Sequence, residues 1–408
     1  MAPQRNASAT QDRPTPAWTP GGPVVIAGGG IAGLTAALAL ARRGLRSVLH
    51  ERVEAFTEVG AGLQISPNAF RVLDALGLGA AIAAKGTAPE AVDLHGLDGR
   101  VLASIPLGET AVTRWGAPYF VLHRADLIAI LAEAAEAEPA ITLVRGVEVE
   151  DFAETPAGVT VSTTAGTVEG EALIAADGVW SRLRPRMPGP RSTARPTGKL
   201  AYRTLIPADA VAPPMRGDRV HAHLAPGAHV VRYPILGGRF MNVVAVAASG
   251  WFVEDWAAPA GAPEIEALSK DFDKPLRDLL LSAPNWTRWP LSTVDASGSW
   301  TAGRVALIGD AAHASLPFAA QGAALAIEDA AVLAARLAAG PTVGKALAAY
   351  EAERRHRAVA VQKASARNGE IYHLSGIAAK TRNLTLSMLP RGALMEQLDW
   401  IYEWRLAA

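Results

Sequence analysis

The fold is decided by one stretch near the start of the chain, Pro23-Val24-Val25-Ile26-Ala27-Gly28-Gly29-Gly30-Ile31-Ala32-Gly33. Its first five residues form an apolar run of strand length, and residues 31–43 form an alanine- and leucine-rich run of helix length that ends at Gly44. Residues 46–50 are a second strand candidate. The order strand, helix, strand predicts a βαβ unit, whose parallel strands need cover on both faces of the sheet.

The glycines between strand and helix fit the pattern G-x-G-x-x-G, with Gly28, Gly30 and Gly33 at its three positions. Glycine there allows a tight turn, close approach of the backbone to a pyrophosphate, and close helix packing. Glu51 follows about 20 residues later, where an acid accepts ribose hydroxyls. A dinucleotide site is therefore predicted, with NAD and FAD both fitting the pattern. The alternatives are a helix-packing glycine set and a solvated strand-end acid.

Composition narrows the classes of function. The 408 residues include 39 basic and 39 acidic side chains, and because no block of like charges is found, no nucleic-acid partner is expected. The chain has no cysteine, which excludes disulfides, thiolate metal sites, iron–sulfur clusters and a catalytic cysteine. Redox chemistry would therefore need a bound cofactor.

The start of the chain bears on location. Residues 1–22 are rich in proline and polar residues and lack the apolar core of a signal peptide, so we expect a disordered extension. Residues 24–41 carry no charge and are long enough for a short membrane span. Their glycines favour the strand-to-helix turn instead. The expectation is a cytoplasmic protein with no stable membrane insertion.

The rest of the chain predicts a mixed α/β protein. Between about residues 200 and 246 the pattern changes to two-residue alternation with Pro-Gly and Gly-Gly turns, which predicts an inserted antiparallel sheet. The predicted strands lie at 141–148, 159–164, 220–224, 229–235, 240–247 and 305–308, and the predicted helices at 70–76, 124–138, 323–339, 350–380 and 389–404.

Two further segments resemble motifs of flavoprotein monooxygenases. Residues 173–182, Leu-Ile-Ala-Ala-Asp-Gly-Val-Trp-Ser-Arg, resemble the "DG" motif, and residues 303–313, Gly-Arg-Val-Ala-Leu-Ile-Gly-Asp-Ala-Ala-His, resemble the "GD" motif. The chain is similar to the single-component class A aromatic hydroxylases, a group with salicylate hydroxylase, 3-hydroxybenzoate 6-hydroxylase and 6-hydroxynicotinate 3-monooxygenase. The likeness continues at 59–68, 316–323, 327–330 and 399–402 and spans about residues 24–402.

The resemblance implies a Rossmann-like FAD-binding domain with an inserted antiparallel β-sheet substrate domain and C-terminal helices. The FAD-binding domain is expected at 23–88, 120–190 and 296–345, the substrate domain at 89–119 and 191–295, and the C-terminal helical region at 346–408.

The resemblance also assigns cofactor contacts. Asp310 would hold the flavin ribityl chain, and it directly follows a predicted buried strand, where parallel sheets bind ligands; an N-cap on the next helix is the alternative. Arg124 would point at the flavin and its phosphates, with Asp126 capping the following helix; an ordinary surface charge is the alternative for Arg124. Asp177 would serve FAD and nicotinamide handling, or only form a turn. The expected FAD contacts are Gly28, Gly30, Gly33, Glu51, Arg52, Arg124, Asp177, Asp310, Gly322 and Ala323.

The candidate catalytic residues lie on a strand of the inserted sheet. The two-residue period places His229, Val231 and Tyr233 on one face. Removing a phenol proton makes a ring electron-rich, and histidine is suited to accept that proton near neutral pH. The segment also resembles the family's His-x-x-x-Tyr strand beside the substrate; a half-buried packing histidine is the alternative. Expected substrate contacts are Gln64, Tyr202, Arg203 and Pro317.

Three other histidines, His221, His223 and His313, are of a residue type that binds metals. His221 and His223 share a strand face, but no carboxylate or third histidine follows at a readable spacing, so a solvated sheet edge is predicted. The resemblance places His313 near the flavin as a packing residue. No metal is therefore expected.

The resemblance implies an FAD-dependent monooxygenase that uses NADH or NADPH and O2 to hydroxylate a small aromatic acid or phenol through a flavin C4a-hydroperoxide. A homodimer is one open state of assembly. Two other readings stay open: an epoxidase, tailoring monooxygenase or oxidase that acts on a larger substrate, and a flavin-binding protein without turnover.

Overall fold

The computed structural model describes residues 22–56, 62–189, 192–249 and 258–407. The predicted disordered extension lies outside these ranges apart from Gly22, as do residues 59–61 of the family-like segment. The strands are β1 (Val24–Ala27), β2 (Ser47–Glu51), β3 (Gly62–Ile65), β4 (Ala91–His95), β5 (Val101–Pro106), β6 (Phe120–His123), β7 (Ile141–Arg145), β8 (Val149–Glu154), β9 (Val159–Thr163), β10 (Gly166–Gly170), β11 (Ala172–Ala175), β12 (Ala194–Pro207), β13 (Val220–Ala225), β14 (Ala228–Ile235), β15 (Phe240–Ala248), β16 (Ala258–Ala260), β17 (Trp286–Val294), β18 (Thr301–Ala302) and β19 (Val305–Leu307).

Every predicted helix is present in part, and one of them is broken. The predicted helix at 350–380 is two helices, because the first ends at Tyr372 and the next starts at Gly376, whose φ of +56° does not continue a helix. The helices are α1 (Ile31–Ala41), α2 (Pro67–Ala75), α3 (Gly79–Lys85), α4 (Glu109–Trp115), α5 (Arg124–Glu136), α6 (Ala262–Ser269), α7 (Lys274–Ser282), α8 (Asp310–His313), α9 (Gly322–Ala339), α10 (Val343–Tyr372), α11 (Gly376–Met388) and α12 (Arg391–Tyr402). Of these helices, α3, α4, α6, α7 and α8 have no counterpart among the predictions.

A six-stranded sheet forms the first layer, in the order β18-β19-β11-β1-β2-β7. All its pairs are parallel except the β18–β19 hairpin. Helix α1 packs against both α9 and α5 and is buried at ten of its eleven positions. Because α1 is buried on nearly all sides, its sequence contains no charged residue. The predicted βαβ unit is confirmed, and no described helix is long and apolar enough to cross a membrane.

An eight-stranded sheet forms the second layer, in the order β16-β17-β12-β15-β14-β13-β4-β5. It combines β4 and β5 from an early segment with six strands from β12 onward. Among the described strands of this sheet, β4 and β13 form the only parallel pair. The predicted fold class, α/β with an inserted antiparallel sheet and C-terminal helices, is confirmed.

Candidate active site

The glycine-rich turn joins β1 to α1 and contains two kinds of glycine. Gly28 has a φ of +107°, and a Cβ there would lie 2.5 Å from the carbonyl oxygen of Ala176. A Cβ at Gly33 would lie 1.9 Å from the carbonyl oxygen of Gly28. By contrast, a Cβ at Gly30 would meet no described protein atom within 4 Å. Gly30 therefore leaves open space at the N-terminus of α1, where a pyrophosphate can approach the backbone.

Glu51 is tied to this turn. Its Oε2 accepts a hydrogen bond from the Gly29 amide at 2.6 Å, and its Oε1 accepts one from the Val53 amide at 3.0 Å. The carboxylate is thus held beside the end of β1 rather than projecting freely from a strand end. Each oxygen keeps acceptor capacity for a ribose hydroxyl. The neighbouring Arg52 is exposed.

Asp177 both forms a turn and offers a ligand atom. Its Oδ2 accepts hydrogen bonds from the amides of Arg182 at 2.9 Å and Leu183 at 3.2 Å. Its buried Oδ1 has no hydrogen-bond partner among the described residues. Burial raises the pKa of Asp177, although the hydrogen bonds around it act in the opposite direction. A buried acceptor without a partner is a place where a ligand donor fits.

Asp310 lies just beyond the carboxyl end of β19. The N-cap of α8 is Gly309, which has a φ of +58°, so Asp310 is the first helical residue and the N-cap alternative for it is wrong. Its side chain is exposed. Because β19, β11 and β1 are neighbours in the sheet, Asp310, Asp177 and the glycine turn all follow the carboxyl ends of adjacent parallel strands, where α/β sheets bind ligands.

A buried ion pair fixes the turn at Gly309. The Asp329 Oδ2 lies 2.5 Å from His313 Nε2 and accepts a hydrogen bond from the Gly309 amide at 3.0 Å. The Nε of Arg354 donates to Oδ1 at 2.8 Å. Burial by itself raises the pKa of Asp329, but His313 and Arg354 outweigh it and lower that pKa to about 2. His313 is therefore engaged by a carboxylate and acts as a positioning residue.

Glu328 extends this network to α2 and adds a second arginine of α10. It forms ion pairs with Arg354 at 2.7 Å and Arg357 at 2.6 Å, and it accepts a hydrogen bond from Asn68 Nδ2 at 2.6 Å. The sequence motif contained Glu328 and Asp329, but the two arginines were missed. Their spacing of three on one helix was the available signal, and it becomes meaningful only once α10 packs on α9.

The N-terminus of α9 gives a second open glycine. A Cβ at Gly322 would meet no described atom within 4 Å, and Ala323 follows it. Gln321 connects this end to the segment before α2, because its Nε2 donates to Ser66 Oγ at 3.0 Å and its Oε1 accepts from Asn68 Nδ2 at 3.0 Å. Both open glycines thus stand at helix N-termini whose free amides suit anionic or polar ligand atoms.

These observations fit FAD. The two open glycine positions accommodate close backbone approach, and the free oxygen of Asp177 and the exposed Asp310 offer hydrogen-bond acceptors along one crevice. Arg124 opens α5, directly after β6. The prediction that Asp126 caps α5 is wrong, since the N-cap residue is His123 and Asp126 lies within the first turn. There its charge still interacts favourably with the helix dipole.

The eight-stranded sheet, called the substrate sheet from here on, has two distinct faces. The inner face presents Ala201, Arg203, His229, Tyr233 and Val246, and the outer face is covered by α6 and α7. Residues of the inner face contact β3 and the turn Pro317–Ala319, and both of these lie next to the FAD crevice. A Cβ at Gly62 of β3 would lie 2.8 Å from the Tyr233 hydroxyl, and the His229 ring lies 5.1 Å from that of Phe318, in the turn Pro317–Ala319. Pro317 itself is exposed.

His229 is buried and hydrogen-bonded to a second histidine. Its Nδ1 lies 2.8 Å from Nε2 of His373, the C-cap residue that follows α10, and Tyr372 packs edge-on against its ring. Burial, assisted by His373 and Lys199, lowers the pKa of His229 to about 3. His229 is therefore neutral at neutral pH, and a neutral imidazole keeps a lone pair on one ring nitrogen that can accept a hydrogen bond. Sequence reasoning missed His373 because the helix was predicted to continue through it.

Tyr233 lies in a polar group of its own. Gln64 accepts a hydrogen bond from the Tyr119 hydroxyl, and a hydrogen bond between Gln64 and Tyr233 moderates the effect of burial, which raises the pKa of Tyr233 well above its usual range. Asn242 accepts a hydrogen bond from the Gly62 amide at 2.8 Å. Tyr233 thus stays protonated and can donate to a ligand.

The predicted pair Tyr202 and Arg203 is split by the sheet. Arg203 lies on the inner face, with its guanidinium carbon 5.3 Å from the centre of the Trp289 ring. Tyr202 faces outward, packs in the cluster under α6 and α7, and has its hydroxyl 3.3 Å from Glu264 Oε2. The prediction that Tyr202 contacts substrate is therefore wrong, because neighbours along a strand point to opposite faces.

His221 and His223 do not lie at a solvated edge, so that prediction is also wrong. Strand β13 is flanked by β14 and β4, and His223 is buried. The carboxylate and third histidine that sequence spacing did not reveal come from β4, as Asp93 and His95. All four lie on the outer face, since His223 pairs with Val230 rather than His229.

Comparison with known proteins agrees with this geometry. The model of the FAD binding domain family matches residues 22–365. 3-Hydroxybenzoate 6-hydroxylase 1 of Aquipseudomonas alcaligenes is 35% identical over 382 residues, covering 93% of this chain and 97% of that protein. A 3-amino-4-hydroxybenzoate 2-monooxygenase of Streptomyces platensis is 36% identical over 389 residues, covering 94% and 96%. The solved salicylate hydroxylase substrate complex superimposes with a TM-score of 0.80 at 27% identity, covering 94% and 96%.

The match to the FAD binding domain model, together with a Rossmann-like crevice at the carboxyl ends of β1, β11 and β19, defines a flavoprotein oxidoreductase. The chain belongs to the FAD binding domain family, within its class A aromatic hydroxylases. It is an FAD-dependent monooxygenase with NADH or NADPH as co-substrate.

Proposed function

We propose that this enzyme hydroxylates a small phenolic ring acid of the hydroxybenzoate class, with the ring bound against the inner face of the substrate sheet, beside the turn Pro317–Ala319. The observation that carries this proposal is the placement of His229, Tyr233 and Arg203 on the inner face. The names of the two relatives, which act on hydroxybenzoate and aminohydroxybenzoate, support the same substrate class.

The composition of the inner face suits such a ring. Apolar side chains surround the polar residues, including Val244, Val246, Trp289 and Leu291, and Phe318 packs with them from the opposite side. An aromatic ring is stabilised by these contacts. The guanidinium of Arg203 can pair with a ring carboxylate through two parallel hydrogen bonds, which would fix the ring in one orientation.

FAD held in the crevice would supply the redox chemistry by which one atom of O2 is transferred to the ring and the other leaves as water, with NADH or NADPH as the source of electrons. His229 prepares the ring by accepting the phenol proton at Nε2, since loss of that proton raises the electron density of the ring. Its Nδ1 side is 2.8 Å from His373 Nε2, and His373 is half-buried. The proton can therefore continue from His229 to His373 and on toward solvent. Tyr233 donates a hydrogen bond to substrate or product oxygen.

The test is NAD(P)H consumption in air by the purified yellow protein, with product masses, across a matched panel. Hydroxybenzoates and hydroxypyridine acids carry both the hydroxyl and the carboxylate, phenol lacks the carboxylate, and benzoate lacks the hydroxyl. We expect a hydroxybenzoate-like acid to accelerate consumption and gain one oxygen atom, with phenol weaker and benzoate inert. If no member is oxidised while a larger substrate is, the small-acid proposal is wrong.

Two further predictions accompany this proposal. A cytoplasmic location is expected, and fractionation of the source cells would check it. The homodimer is one open state of assembly, and light scattering on the flavin-bound protein would test whether it forms. The preference between NADH and NADPH is read from the same consumption assay with each reductant at matched concentration.

A further inference from the structure

A second cluster of chemically active side chains lies on the outer face, away from the flavin crevice. In the parallel register of β4 and β13, Asp93 pairs with His221 and His95 pairs with His223. Paired residues on neighbouring strands point to the same side of a sheet. The Asp-x-His pattern of β4 and the His-x-His pattern of β13 are far apart in sequence. The pairing of the two strands brings their four side chains into one group.

The distances within this group match those of a metal site. His95 Nε2 lies 2.9 Å from His221 Nδ1, and that atom lies 4.0 Å from Asp93 Oδ2. All three ligand atoms lie within 4.8 Å of one another. Around tetrahedral Zn²⁺, with bonds of about 2.0–2.1 Å, ligand atoms are about 3.3 Å apart. Small side-chain rotations bring the observed spacings to that value.

Two of the ligands are already oriented by their other polar atoms. The Nδ1 of His95 lies 3.0 Å from the Gly99 carbonyl oxygen, so Nδ1 donates there and Nε2 keeps its lone pair toward His221. Ser104 Oγ donates to Asp93 Oδ1 at 2.6 Å, which leaves Oδ2 to face the histidines. Hydrogen bonds of this kind to a carbonyl and a ligating carboxylate are typical of metal sites.

A further buried histidine points to a ligand at this place. His223 is 3% exposed, stacks on His95 with ring centres 4.4 Å apart, and its Nδ1 has no hydrogen-bond partner among the described residues. Its Nε2 accepts from Arg232 Nε at 3.2 Å. A buried polar atom without a partner is costly, and a water or ligand bound beside His95 would remove part of that cost.

Two arginines lie beside this group, and Arg219 would compete with a metal cation for Asp93. Arg219 Nη1 lies 3.1 Å from Asp93 Oδ2, but its side chain is 42% exposed and also pairs with Glu90 at 3.2 Å. It can therefore leave Asp93 and keep Glu90. Arg232 is held by the Met215 carbonyl oxygen at 2.6 Å as well as by His223. Asp273, close to Gly99, contributes a second negative charge near the group.

We propose that Asp93, His95 and His221 bind one divalent transition-metal cation, for which Zn²⁺ is the best match. The nitrogen and carboxylate donors are those that Zn²⁺ takes in proteins, with a fourth position for water. The cation stabilises the parallel junction that ties β4 and β5 to the remainder of the substrate sheet. Because the sheet separates this group from His229, metal binding is independent of the hydroxylation reaction.

The first test is Zn²⁺ binding to tag-free, chelator-treated, flavin-bound protein, measured by competition with a chromophoric chelator. The wild type should bind one Zn²⁺ per chain, and His95→Ala and His221→Ala should lose that site. His356→Ala removes an exposed histidine outside the group and should bind like the wild type. Flavin content and thermal midpoint verify folding. Absence of stoichiometric binding by the wild type, or equal binding by His221→Ala, would overturn the proposal.

The second test uses a residue whose loss should strengthen binding. In Arg219→Ala, Asp93 loses its competing cation, so we expect a lower thermal midpoint without metal, recovery on adding Zn²⁺, and tighter Zn²⁺ binding than in the wild type. A purely structural polar group predicts the same loss of stability with no recovery. Ser104→Ala should weaken Zn²⁺ binding by about 10- to 100-fold; unchanged affinity in both variants contradicts the site.

Discussion

The flavin-binding edge and the substrate sheet differ in how each obtains its chemistry. At the flavin edge the functional groups are mostly backbone amides exposed by Gly30 and Gly322 at helix N-termini, so local sequence determines the site. In the substrate sheet the functional groups are side chains from strands far apart in sequence, and the pairing of strands determines which of them meet. Substitutions at the flavin-binding edge should therefore act by filling the space that the cofactor needs. Substitutions in the substrate sheet should act by removing individual side-chain contacts.

The largest contrast is expected between two glycines three residues apart, Gly30 and Gly33. Gly30→Val places a side chain in open space, so the protein should fold but lose nearly all bound FAD. Gly33→Ala places a Cβ 1.9 Å from the Gly28 carbonyl oxygen, so little folded protein is expected. Absorbance of bound flavin and circular dichroism separate the two outcomes. Full flavin occupancy in folded Gly30→Val protein would show that the cofactor lies elsewhere.

A large loss of rate with no loss of cofactor is expected at His229. His229→Ala should lower the rate of hydroxylation of a phenolic substrate by about 100- to 10,000-fold, the usual contribution of a general base, with flavin content unchanged. His356→Ala, at an exposed position, is the matched control. A wild-type rate and an unchanged pH profile in His229→Ala would place the base elsewhere.

Loss of Asp329 should destabilise the fold without touching substrate. In Asp329→Ala, Arg354 and His313 lose their shared carboxylate, and removing one partner of a buried ion pair costs about 3–5 kcal/mol. Glu353→Ala removes the partner of Arg336, a pair that is partly exposed, and should cost less than about 1 kcal/mol. Chemical denaturation of both variants measures the difference. Equal costs would mean that the buried network contributes no more than a surface pair.

The smallest effect concerns pH. Unfolded His229 binds a proton below about pH 6.5, whereas folded His229 stays neutral until about pH 3. The unfolded state therefore binds more protons between these values, and His229 lowers stability as pH falls, by about 1.4 kcal/mol per pH unit. His229→Gln should flatten the slope of unfolding free energy between pH 6 and 4 by that amount. An identical slope in the variant would mean that His229 is already charged in the folded protein.

The features that could be predicted from the sequence are mainly the locally determined ones, as at the flavin-binding edge. The βαβ unit, the glycine turn and the positions of Glu51, Asp177 and Asp310 follow from local pattern, because each lies within or directly after one strand and helix. The two-residue period also placed His229 and Tyr233 on one face. It equally implies that Tyr202 and Arg203 separate, and the expected pairing of those two in the pocket ignored that alternation.

The remaining features depend on contacts that sequence spacing does not display. Asp93 and His95 meet His221 only because β4 joins the sheet in parallel beside β13, more than one hundred residues later. His373 reaches His229 only because α10 ends one residue before it. Arg354 and Arg357 find their acids through helix packing. Each is a consequence of tertiary placement, which neither period nor motif encodes.

Strand β14 carries two independent sets of side chains, since His229 and Tyr233 point inward while Arg232 points outward to His223. A single-residue insertion at the turn before β14 would exchange these sets and place the fixed positive charge of Arg232 at the inward position that Tyr233 occupies. Substitutions, unlike insertions, can alter one set while leaving the other intact. During evolution, the substrate pocket and the outer-face cluster of Asp93, His95, His221 and His223 can therefore change at separate rates. The length of the turn at Gly227 must stay constant, because it sets which residues of β14 point inward.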